Sequence, residues 1–293
     1  MSYTDETRIH VATLALLQQT AAGNVNLGVP ETFPLEIAPR IFWLGSCLRK
    51  GEGADDIHTG VSAYLILGTE HALLVDTGHI HGWPVLSEQL DYCLGDRSLD
   101  FVMPTHPEIP HGGNLAEVLT KYPSCLAIGD MRDYHLYFPD VVDRFCDVPV
   151  GHIVDLGGGY RYHVLDAAIK DLPNTRWGYE EKNQVMFVAD GFSYLHHPEW
   201  GEEGVDAHVP GECGKIASVG GAFPTLDDIA YYCSVAFYWS RFRPDATQVF
   251  ERLEALMQRY PPRVVAPAHG NVVTDLGRVV PLVREAHVEA FRH

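Results

Sequence analysis

The sequence predicts an α/β fold built from layers of strands and helices, and two observations lead to it. Short apolar runs of strand length alternate along the chain with longer segments of helical periodicity, a pattern typical of layered α/β domains. Residue types that bind metal ions also follow directly after several predicted strands, namely His106, Asp190 and His269. Because a sheet presents the ends of its strands along one rim, this placement indicates a functional site on that rim.

The first third of the chain contains the strongest strand patterns. Residues 8–22 fit a short amphipathic helix, and a lead-in rich in proline and glycine follows at 24–37. Two apolar runs on either side of a turn that contains Gly68 are typical of a β-hairpin. These runs and the one before them predict strands at 41–44, 63–67 and 72–75.

Helices and strands alternate in the middle of the chain. Residues 84–94 have helical periodicity, and 101–103 form a short buried strand that leads into the first candidate ligands. Asn114 is predicted to cap the next helix with Glu117 as its capping partner, and Pro123 ends that helix. The remaining predictions in this part are a strand at 125–128, a helix at 131–138, and strands at 152–166 and 184–189.

The last third combines an irregular segment with a long helix. Residues 194–224 are rich in glycine, proline and histidine without clear periodicity, which predicts a long excursion from the fold. A helix is predicted at about 225–260, interrupted near Arg243-Pro244, and a strand follows at 264–266. No internal repeat, low-complexity tract or linker divides the sequence, so residues 1–293 are predicted to form a single domain.

The composition argues against several classes of protein. The 293 residues carry 39 acidic and 21 basic side chains, a formal net charge of −18, and such a surface repels nucleic acid and anionic lipid. Six cysteines are scattered singly without a CxxC pair, which predicts reduced thiols. The N-terminus lacks the basic start of a signal peptide, and no apolar stretch reaches the roughly 20 residues needed to span a bilayer. We therefore expect a cytoplasmic protein that binds neither nucleic acid nor a membrane.

The potential metal ligands lie in one short turn and at two distant positions of the sequence. The turn His106-Pro-Glu108-Ile-Pro-His111 supplies three potential metal ligands, and its two prolines reduce the entropy lost in holding them. Asp190 and His269 bring two further groups from distant parts of the sequence. Metal binding needs imidazole nitrogens and carboxylate oxygens within roughly 2.0–2.2 Å of a cation. Each residue alone has an ordinary structural explanation, such as a buried histidine or a turn aspartate, but their combination at strand ends predicts a metal site.

Six motifs occur in order over residues 41–275: Ser62-Ala-Tyr-Leu-Ile66, Leu74-Val-Asp76-Thr-Gly78, His106-x-Glu108-x-x-His111-Gly-Gly, Asp155-Leu-Gly-Gly158, Phe187-Val-Ala-Asp190 and Ala266-Pro-Ala-His269-Gly270. In this order they resemble the metallo-β-lactamase superfamily and, within it, the β-lactamase-like domain of the flavodiiron oxygen and nitric-oxide reductases. Glu108 is characteristic of the flavodiiron branch, because hydrolases of the superfamily usually have histidine there. The resemblance implies an αββα sandwich of the metallo-β-lactamase fold, with residues 1–40 as an N-terminal extension and 194–224 as an insertion.

The resemblance also implies a set of metal ligands. His106 and Glu108 would bind a first metal, His111 and His269 would bind a second, and Asp190 would bridge the two. We expect one or two divalent metal ions, either iron or zinc, with manganese as a further candidate.

The chain departs from the family pattern at two ligand positions. Pro110 stands directly before the last histidine of the turn, where the family has aspartate, and proline cannot ligate. The family's histidine ahead of the bridging aspartate is also absent, and Lys170 in that region would repel a cation. Three residues could replace a lost ligand: Asp171, His196 and His197. The losses favour one well-occupied metal on the side of His111, Asp190 and His269.

Residues around the predicted site are expected to have supporting roles. By the resemblance, Asp76 would be structural and would brace the loop beneath the site. His79 and His81 follow it and could orient a ligand or bind substrate. The aromatic residues from Tyr231 to Trp239 fit one face of a buried helix, or alternatively the wall of an apolar substrate pocket.

Two classes of enzyme fit such a site. We expect a metal-dependent hydrolase, in which a metal lowers the pKa of a bound water from about 15.7 toward about 7 and Asp190 and Glu108 carry protons. Its substrate would be a small neutral or aromatic molecule, such as an ester, lactone, amide or activated ether. The alternative is a flavodiiron-like oxidoreductase that reduces or senses O2 or NO with electrons from a separate flavoprotein.

Two features of the sequence favour the hydrolase. The chain ends at residue 293, which leaves no room for the flavodoxin-like domain that the family normally carries. The loss of two ligands should also impair electron transfer at a metal pair more than the activation of one water. Glu108 argues for the oxidoreductase. A third possibility is a supporting subunit of a related metallo-hydrolase complex, and we expect a homo- or hetero-oligomer with a related subunit.

Overall fold

The fold is described from a computed structural model for residues 25–30, 32–50, 57–195, 214, 216–217, 224–237 and 246–290. The predicted helix at 8–22 and most of the predicted excursion at 194–224 lie outside these residues. No helix within the described ranges is long and apolar enough to cross a membrane.

The first β-sheet is mixed and contains eight strands: β1 (Val25–Gly28), β2 (Leu35–Ala38), β3 (Ile41–Lys50), β4 (Ile57–Leu67), β5 (Ala72–Val75), β6 (Phe101–Met103), β7 (Leu126–Gly129) and β8 (Phe145–Asp147). Its order is β1-β3-β4-β5-β6-β7-β8, and β2 pairs with β3. The pairs from β1 to β5 are antiparallel, whereas those from β5 to β8 are parallel. The C-terminal ends of β5 and β6 therefore reach the same edge of the sheet.

The second sheet has five strands: β9 (Ile153–Asp155), β10 (Arg161–Asp166), β11 (Arg176–Glu180), β12 (Val185–Phe187) and β13 (Val264–Ala266). Its order is β13-β12-β11-β10-β9. β12 and β13 run parallel, and the other pairs are antiparallel. The C-terminal ends of β12 and β13 thus also lie side by side.

The α-helices of the described chain are α1 (Trp83–Leu94), α2 (Ile109–Gly112), α3 (Leu115–Lys121), α4 (Tyr134–Tyr137), α5 (Leu226–Ala236), α6 (Thr247–Arg259) and α7 (Leu276–Ala290). Two 3-10 segments, Ile80–Gly82 and Pro139–Arg144, complete the helical structure.

Three apolar cores join the layers. Between the sheets, both contribute large buried side chains, among them Trp43 and Tyr64 from the first and Phe187 from the second. The outer face of the first sheet packs against α1 and α3, and that of the second sheet packs against α5, α6 and α7. Burial of apolar surface on both faces of each sheet stabilises the layers. Their order is αββα, as the resemblance implied.

Several predicted elements are confirmed at or near their predicted bounds. The hairpin is formed by β4 and β5, in which Tyr64 lies opposite Val75. β6 and β13 have the predicted ends, and α1 begins one residue before the prediction. These elements combine unbroken apolar patterns with clear turn residues on both sides.

Other elements differ from the predictions. The lead-in at 24–37 contains β1 and β2, while β8, β11 and α7 were not predicted at all. The single strand predicted at 152–166 is a pair, β9 and β10, because three consecutive glycines with φ of 81°, 65° and 84° reverse the chain at 157–159. The long helix at 225–260 is two helices, α5 and α6, and Arg243-Pro244 lies outside the described residues.

The predicted capping box of α3 is wrong. Asn114 does occupy the N-cap, but its side chain makes no capping hydrogen bond. Its amide nitrogen instead donates to the carbonyl oxygens of Thr77, at 2.6 Å, and His79, at 2.9 Å. Asn114 thus ties the helix to the loop after β5, a tertiary contact that the local pattern could not reveal.

Candidate metal centre

Four candidate ligands come from the ends of parallel strands. His106 follows β6 and lies just before the short helix α2, which contains His111. Asp190 follows β12, and His269 follows β13. The strand ends of both sheets therefore supply the site.

Asp190 lies at the centre of three imidazoles. Its Oδ1 atom is 3.4 Å from Nε2 of His111 and 3.5 Å from Nε2 of His269. Its Oδ2 atom is 3.5 Å from Nε2 of His106. All four residues are buried, with at most 7% of their surface exposed. The structure brings together these four of the five predicted ligands in one compact cluster.

Glu108, the fifth predicted ligand, lies at the rim of the cluster. Its Oε2 atom is 3.8 Å from Nε2 of His106, and its side chain is 47% exposed. The residue is the extended N-cap of α2, and Pro110 occupies the first turn of that helix. Proline suits this position because the first N–H groups of a helix have no intrahelical partner. Pro110 is thus a helix-starting residue and offers no ligand atom, as predicted.

Asp171 also faces the cluster, from the loop between β10 and β11. Its Oδ2 atom is 3.4 Å from Nε2 of His106, and the residue is 6% exposed. Burial raises the pKa of its carboxyl. Lys170, which was expected to repel a cation, forms an ion pair with Asp166, whose Oδ1 lies 2.8 Å from its ammonium.

Asp76 holds His111 from beneath, in the bracing position that the resemblance implied. Its Oδ2 atom accepts from Nδ1 of His111 at 3.0 Å, and its Oδ1 atom accepts from the backbone N–H of Thr105 at 2.7 Å. Burial alone would lower the pKa of His111, but the carboxylates of Asp190 and Asp76 outweigh it and raise that pKa above its usual value. Asp76 therefore fixes which ring nitrogen of His111 faces the cluster.

Two imidazoles are oriented so that their Nε2 atoms need a positive partner. Nδ1 of His269 donates to the carbonyl oxygen of Gly60 at 2.7 Å, and Nδ1 of His111 donates to Asp76. In the neutral rings, Nε2 then presents a lone pair to an oxygen of Asp190, which is also an acceptor. Such facing acceptors are stabilised only by a proton or a cation between them.

Buried ring nitrogens without hydrogen-bond partners also indicate a metal site. Nε2 of His106 and Nε2 of His111 are buried and have no hydrogen-bond partner within the described residues. Two sets of side chains could hold an ion, namely His106, His111 and Asp190, and His106, Glu108 and Asp171. Because buried polar atoms are almost always paired, these residues fit divalent metal ions.

The carboxylates at the centre are ionised. Burial alone would raise the pKa of Asp190, but the imidazoles around it, His111 above all, outweigh burial and hold that pKa far below its usual range. The pKa of Glu108 is lowered chiefly by its interaction with the nearby His106 imidazole. Anionic carboxylates are suited to bind a cation and poorly suited to donate protons at neutral pH.

Tyr232 of α5 is a site residue that the sequence did not reveal as such. Its hydroxyl donates to Oδ1 of Asp190 at 2.8 Å, and the side chain is buried. Burial, followed by the charge of Asp190, raises the pKa of this phenol well above its usual value, so it remains a donor. Tyr231, by contrast, is 44% exposed. The prediction of one buried aromatic face therefore holds for Tyr232 and not for Tyr231, and the residues at 238–240 lie outside the described residues.

Of the other candidate histidines, the structure describes His79 and His81. His79 caps the 3-10 segment Ile80–Gly82, where its ring accepts from the backbone N–H of His81 at 3.3 Å. The side chain of His58 and all of His196 and His197 lie outside the described residues.

The chain is similar in sequence to an oxidase and to flavoproteins. No protein-family model matches the chain. It is similar to the coenzyme F420H2 oxidase of Methanocaldococcus jannaschii, with 23% identity over 261 residues that cover 84% of this chain and 58% of that protein. It is also similar to diflavin flavoprotein A 2 of Nostoc sp., with 27% identity over 166 residues, or 54% of this chain and 28% of that protein. The chain thus spans less than two thirds of the length of these relatives.

Solved structures show the same likeness. The rubredoxin oxygen:oxidoreductase of Desulfovibrio gigas superposes with a TM-score of 0.69 at 14% identity, covering 87% of this chain and 61% of that one. A flavo di-iron protein of Thermotoga maritima gives 0.64 at 13% identity, over 90% and 61% of the two chains. A fragment of diflavin flavoprotein A 5 from Nostoc sp. gives 0.64 at 17% identity, over 92% and 98%.

The comparisons confirm the fold and the resemblance. The chain has the αββα metallo-β-lactamase-like fold of the flavodiiron core, and its relatives in sequence and structure are flavodiiron proteins. The name of the Thermotoga protein specifies two irons, which agrees with the expectation of one or two divalent metal ions, iron included.

The prediction of a hydrolase is wrong. The relatives are an oxidase, an oxidoreductase and flavoproteins, which supports the alternative of a redox enzyme. The loss of a histidine ahead of Asp190 favoured hydrolysis, yet Asp171 places a carboxylate oxygen 3.4 Å from Nε2 of His106. Glu108, the motif residue that is characteristic of the flavodiiron branch, agrees with the redox interpretation.

Proposed function

We propose that this chain is the metal-binding part of a flavodiiron-type oxidoreductase, which reduces O2 with electrons from a flavin donor. The observation that carries the proposal is the convergence of three buried imidazoles on Asp190. Two of these imidazoles have an Nε2 atom without a hydrogen-bond partner in the described part of the chain. The names of the relatives support oxidation–reduction over hydrolysis. Reduction of one O2 to two water molecules consumes four electrons and four protons, so the donor must deliver electrons repeatedly. Nitric oxide is the other acceptor that the resemblance implies.

The proposed ligands form two groups that share one carboxylate. His106 and Glu108 would hold a first metal, His111 and His269 a second, and Asp190 both. Iron ions bound there would supply the redox chemistry, since iron changes readily between oxidation states. The ligand set of the second group, two histidines and a carboxylate, is one that suits Fe(II) with open coordination positions.

The protein's own groups orient the ligands and control access to them. Asp76 and the carbonyl oxygen of Gly60 fix the rings of His111 and His269 through their Nδ1 atoms. The Tyr232 hydroxyl holds Oδ1 of Asp190 and keeps a proton beside the site. Glu108 is the exposed member of the group, so the rim around it is the side from which a small acceptor and water can enter.

The assembly, the location and the domain organisation of the protein are further proposals. We propose an oligomer, made either of copies of this chain or with a related subunit. We further propose that the protein works in the cytoplasm and that residues 1–293 form a single domain.

The proposal predicts that two ligand variants lose metal and activity together. Asp190→Ala and His269→Ala should each retain less than about a tenth of the wild-type iron, because a ligand change costs at least the 10–100-fold in affinity that outer contacts contribute. Both should remain folded by circular dichroism, since the cores between the layers are untouched. The measurements are elemental analysis and O2 consumption with a reduced flavodoxin as the electron donor, with NO consumption as a parallel assay.

His152→Ala is the matched control, because His152 is exposed and its backbone N–H bonds only locally to Pro149. It should keep both the iron content and the activity of the wild type. Iron-loaded wild-type protein that consumes neither O2 nor NO under these conditions would refute the proposed function. Equal iron in all three variants would refute the ligand assignment.

A further inference from the structure

Asp171 is placed like a ligand and belongs to none of the motifs. It precedes Asp190 by 19 residues and lies in the loop between β10 and β11, where only 6% of its surface is exposed. Its Oδ2 atom is 3.4 Å from Nε2 of His106. That nitrogen is fully buried and has no hydrogen-bond partner within the described residues. A buried imidazole with an unpaired nitrogen therefore faces a buried carboxylate oxygen.

The loop is built to hold Asp171 in this orientation. Its Oδ1 atom accepts from the Thr175 hydroxyl at 3.0 Å and from the backbone N–H of Leu172 at 2.7 Å. The backbone N–H of Arg176 donates to the carbonyl oxygen of Thr105 at 2.9 Å, which fastens the loop beside the turn that contains His106. One carboxylate oxygen is thus engaged by the loop, and the other is directed at the cluster.

The oxygen atoms around His106 come from three acidic residues. Besides Asp171, Oδ2 of Asp190 lies 3.5 Å from the same nitrogen and Oε2 of Glu108 lies 3.8 Å from it. The opposite side of Asp190 has two imidazoles, His111 and His269, near its Oδ1 atom. The two halves of the cluster therefore differ in chemistry, with oxygen donors dominant in one and nitrogen donors in the other.

We propose that Asp171 is the fourth ligand of the metal at His106, and that its carboxylate reduces the advantage of Zn2+ over Mn2+ at this half-site. The inference rests on the ligand set of the proposed function. Carboxylate oxygens suit hard cations such as Mn2+, whereas imidazoles suit zinc, iron and copper. The three carboxylates also attract a divalent cation strongly, whichever metal it is. The half-site at His111 and His269 has the donor set for Fe2+, so the chain can hold two different metals.

The test uses metal-free full-length protein titrated with Mn2+, with free Mn2+ followed by its electron paramagnetic resonance signal and with Zn2+ as competitor. The wild type should bind Mn2+, and the excess of Zn2+ affinity over Mn2+ affinity should be smaller in the wild type than in Asp171→His. Asp171→Asn keeps the shape of the side chain but removes its charge. It should weaken Mn2+ binding by more than about 100-fold, because the loss of a residue that only orients a ligand already costs about 10–100-fold. Asp171→His should restore binding but shift the preference toward Zn2+.

Asp91→Asn is the matched control, because Asp91 is 60% exposed and pairs with Lys121 on the surface. It should bind Mn2+ and Zn2+ as the wild type does. Unchanged Mn2+ affinity and metal preference in both Asp171 variants would overturn the inference, even if the wild type binds two metals and reduces O2. A wild-type protein that binds no metal at all would overturn the proposed function as well, and the two failures are thereby distinguishable.

Discussion

Asp76 shows how one residue outside the ligand set can control the cluster. Its φ of 60° is a left-handed conformation that aspartate and asparagine tolerate better than most side chains. In this position one carboxylate oxygen accepts from Nδ1 of His111 and the other accepts from the backbone N–H of Thr105. The residue thus joins the loop after β5 to the loop after β6 and sets the tautomer of a proposed ligand at the same time.

Asp76→Asn tests this role with little change in shape or backbone preference. The amide removes the negative charge that stabilises the Nδ1–H form of His111, and its NH2 group faces an N–H donor. We expect metal affinity to fall by roughly 10–100-fold, the usual effect of changing a residue that orients a ligand. The measurement is competition for the metal with a chromophoric chelator, and Asp91→Asn is again the surface control. Equal affinities in the wild type and Asp76→Asn would show that His111 is oriented without Asp76.

The residues found from the sequence are those that stand in motifs at strand ends. His106, Asp190 and His269 follow short apolar strands, so their convergence on one rim was predictable from the order of elements. The sequence offers Asp171 only as one of three alternatives, because it lies in a loop without a motif. The sequence places Tyr232 on a buried helix face or a pocket wall but cannot show its contact with Asp190, since a tyrosine within a helix has the same pattern whether its hydroxyl meets solvent or a carboxylate.

At the scale of elements, α7 contains a histidine that is buried away from the cluster. His287 is 2% exposed, and its Nδ1 donates to the carbonyl oxygen of Val283 at 2.8 Å. Its ring packs against those of Phe237 and Phe250. Burial lowers the pKa of His287 to about 4, against the opposing effect of the bond to Val283. The helix is therefore packed around a neutral imidazole.

This neutral imidazole makes the stability of the fold depend on pH. The unfolded chain takes up a proton at His287 below its ordinary pKa of about 6.5, whereas the folded chain does so only near pH 4. The stabilisation by the neutral ring is therefore present above pH 6.5 and is lost as the pH falls toward 4. His287→Gln removes this titration, so the wild type should lose about 2 kcal/mol more than the variant between pH 7 and pH 4.5.

Denaturant unfolding of both proteins at the two pH values measures the difference in the free energy of unfolding. His152→Gln, at an exposed position, should show the wild-type dependence. A parallel decline in the wild type and His287→Gln would contradict the assignment of a neutral buried ring.

The same helix shows what limits prediction of elements from this sequence. α7 carries Pro281 in its interior, a residue that usually ends a helix, and it was not predicted. The strand β11 includes Gly178, where a Cβ would lie 1.8 Å from the Tyr162 hydroxyl, so a residue that normally weakens strands is required by a neighbour. In both cases tertiary packing overrides local propensity, whereas β5, β6 and β13 were predictable because their local patterns agree with their packing.

At the scale of the whole molecule, the cluster connects the two sheets. His106, Glu108 and His111 follow β6 of the first sheet, whereas Asp190 and His269 follow β12 and β13 of the second. A metal ion bound there would act as a link between the layers. Without one, the charges of Asp190 and Glu108 act unfavourably on the buried carboxyl of Asp171, which opposes the packing of the cluster.

Metal loading should therefore raise the thermal stability of the entire fold. A ligand present at 100 times its Kd stabilises the folded state by about 2.7 kcal/mol, and for a domain of this size roughly 2–4 °C per kcal/mol gives an increase in Tm of roughly 5–10 °C. Calorimetry of chelator-treated wild-type protein before and after addition of Fe2+ under anaerobic conditions measures this change. The same addition to His269→Ala should produce a much smaller shift, because the variant lacks a ligand contributed by the second sheet. Identical melting temperatures for the loaded and chelator-treated wild type would mean that the layers are held together without help from the cluster.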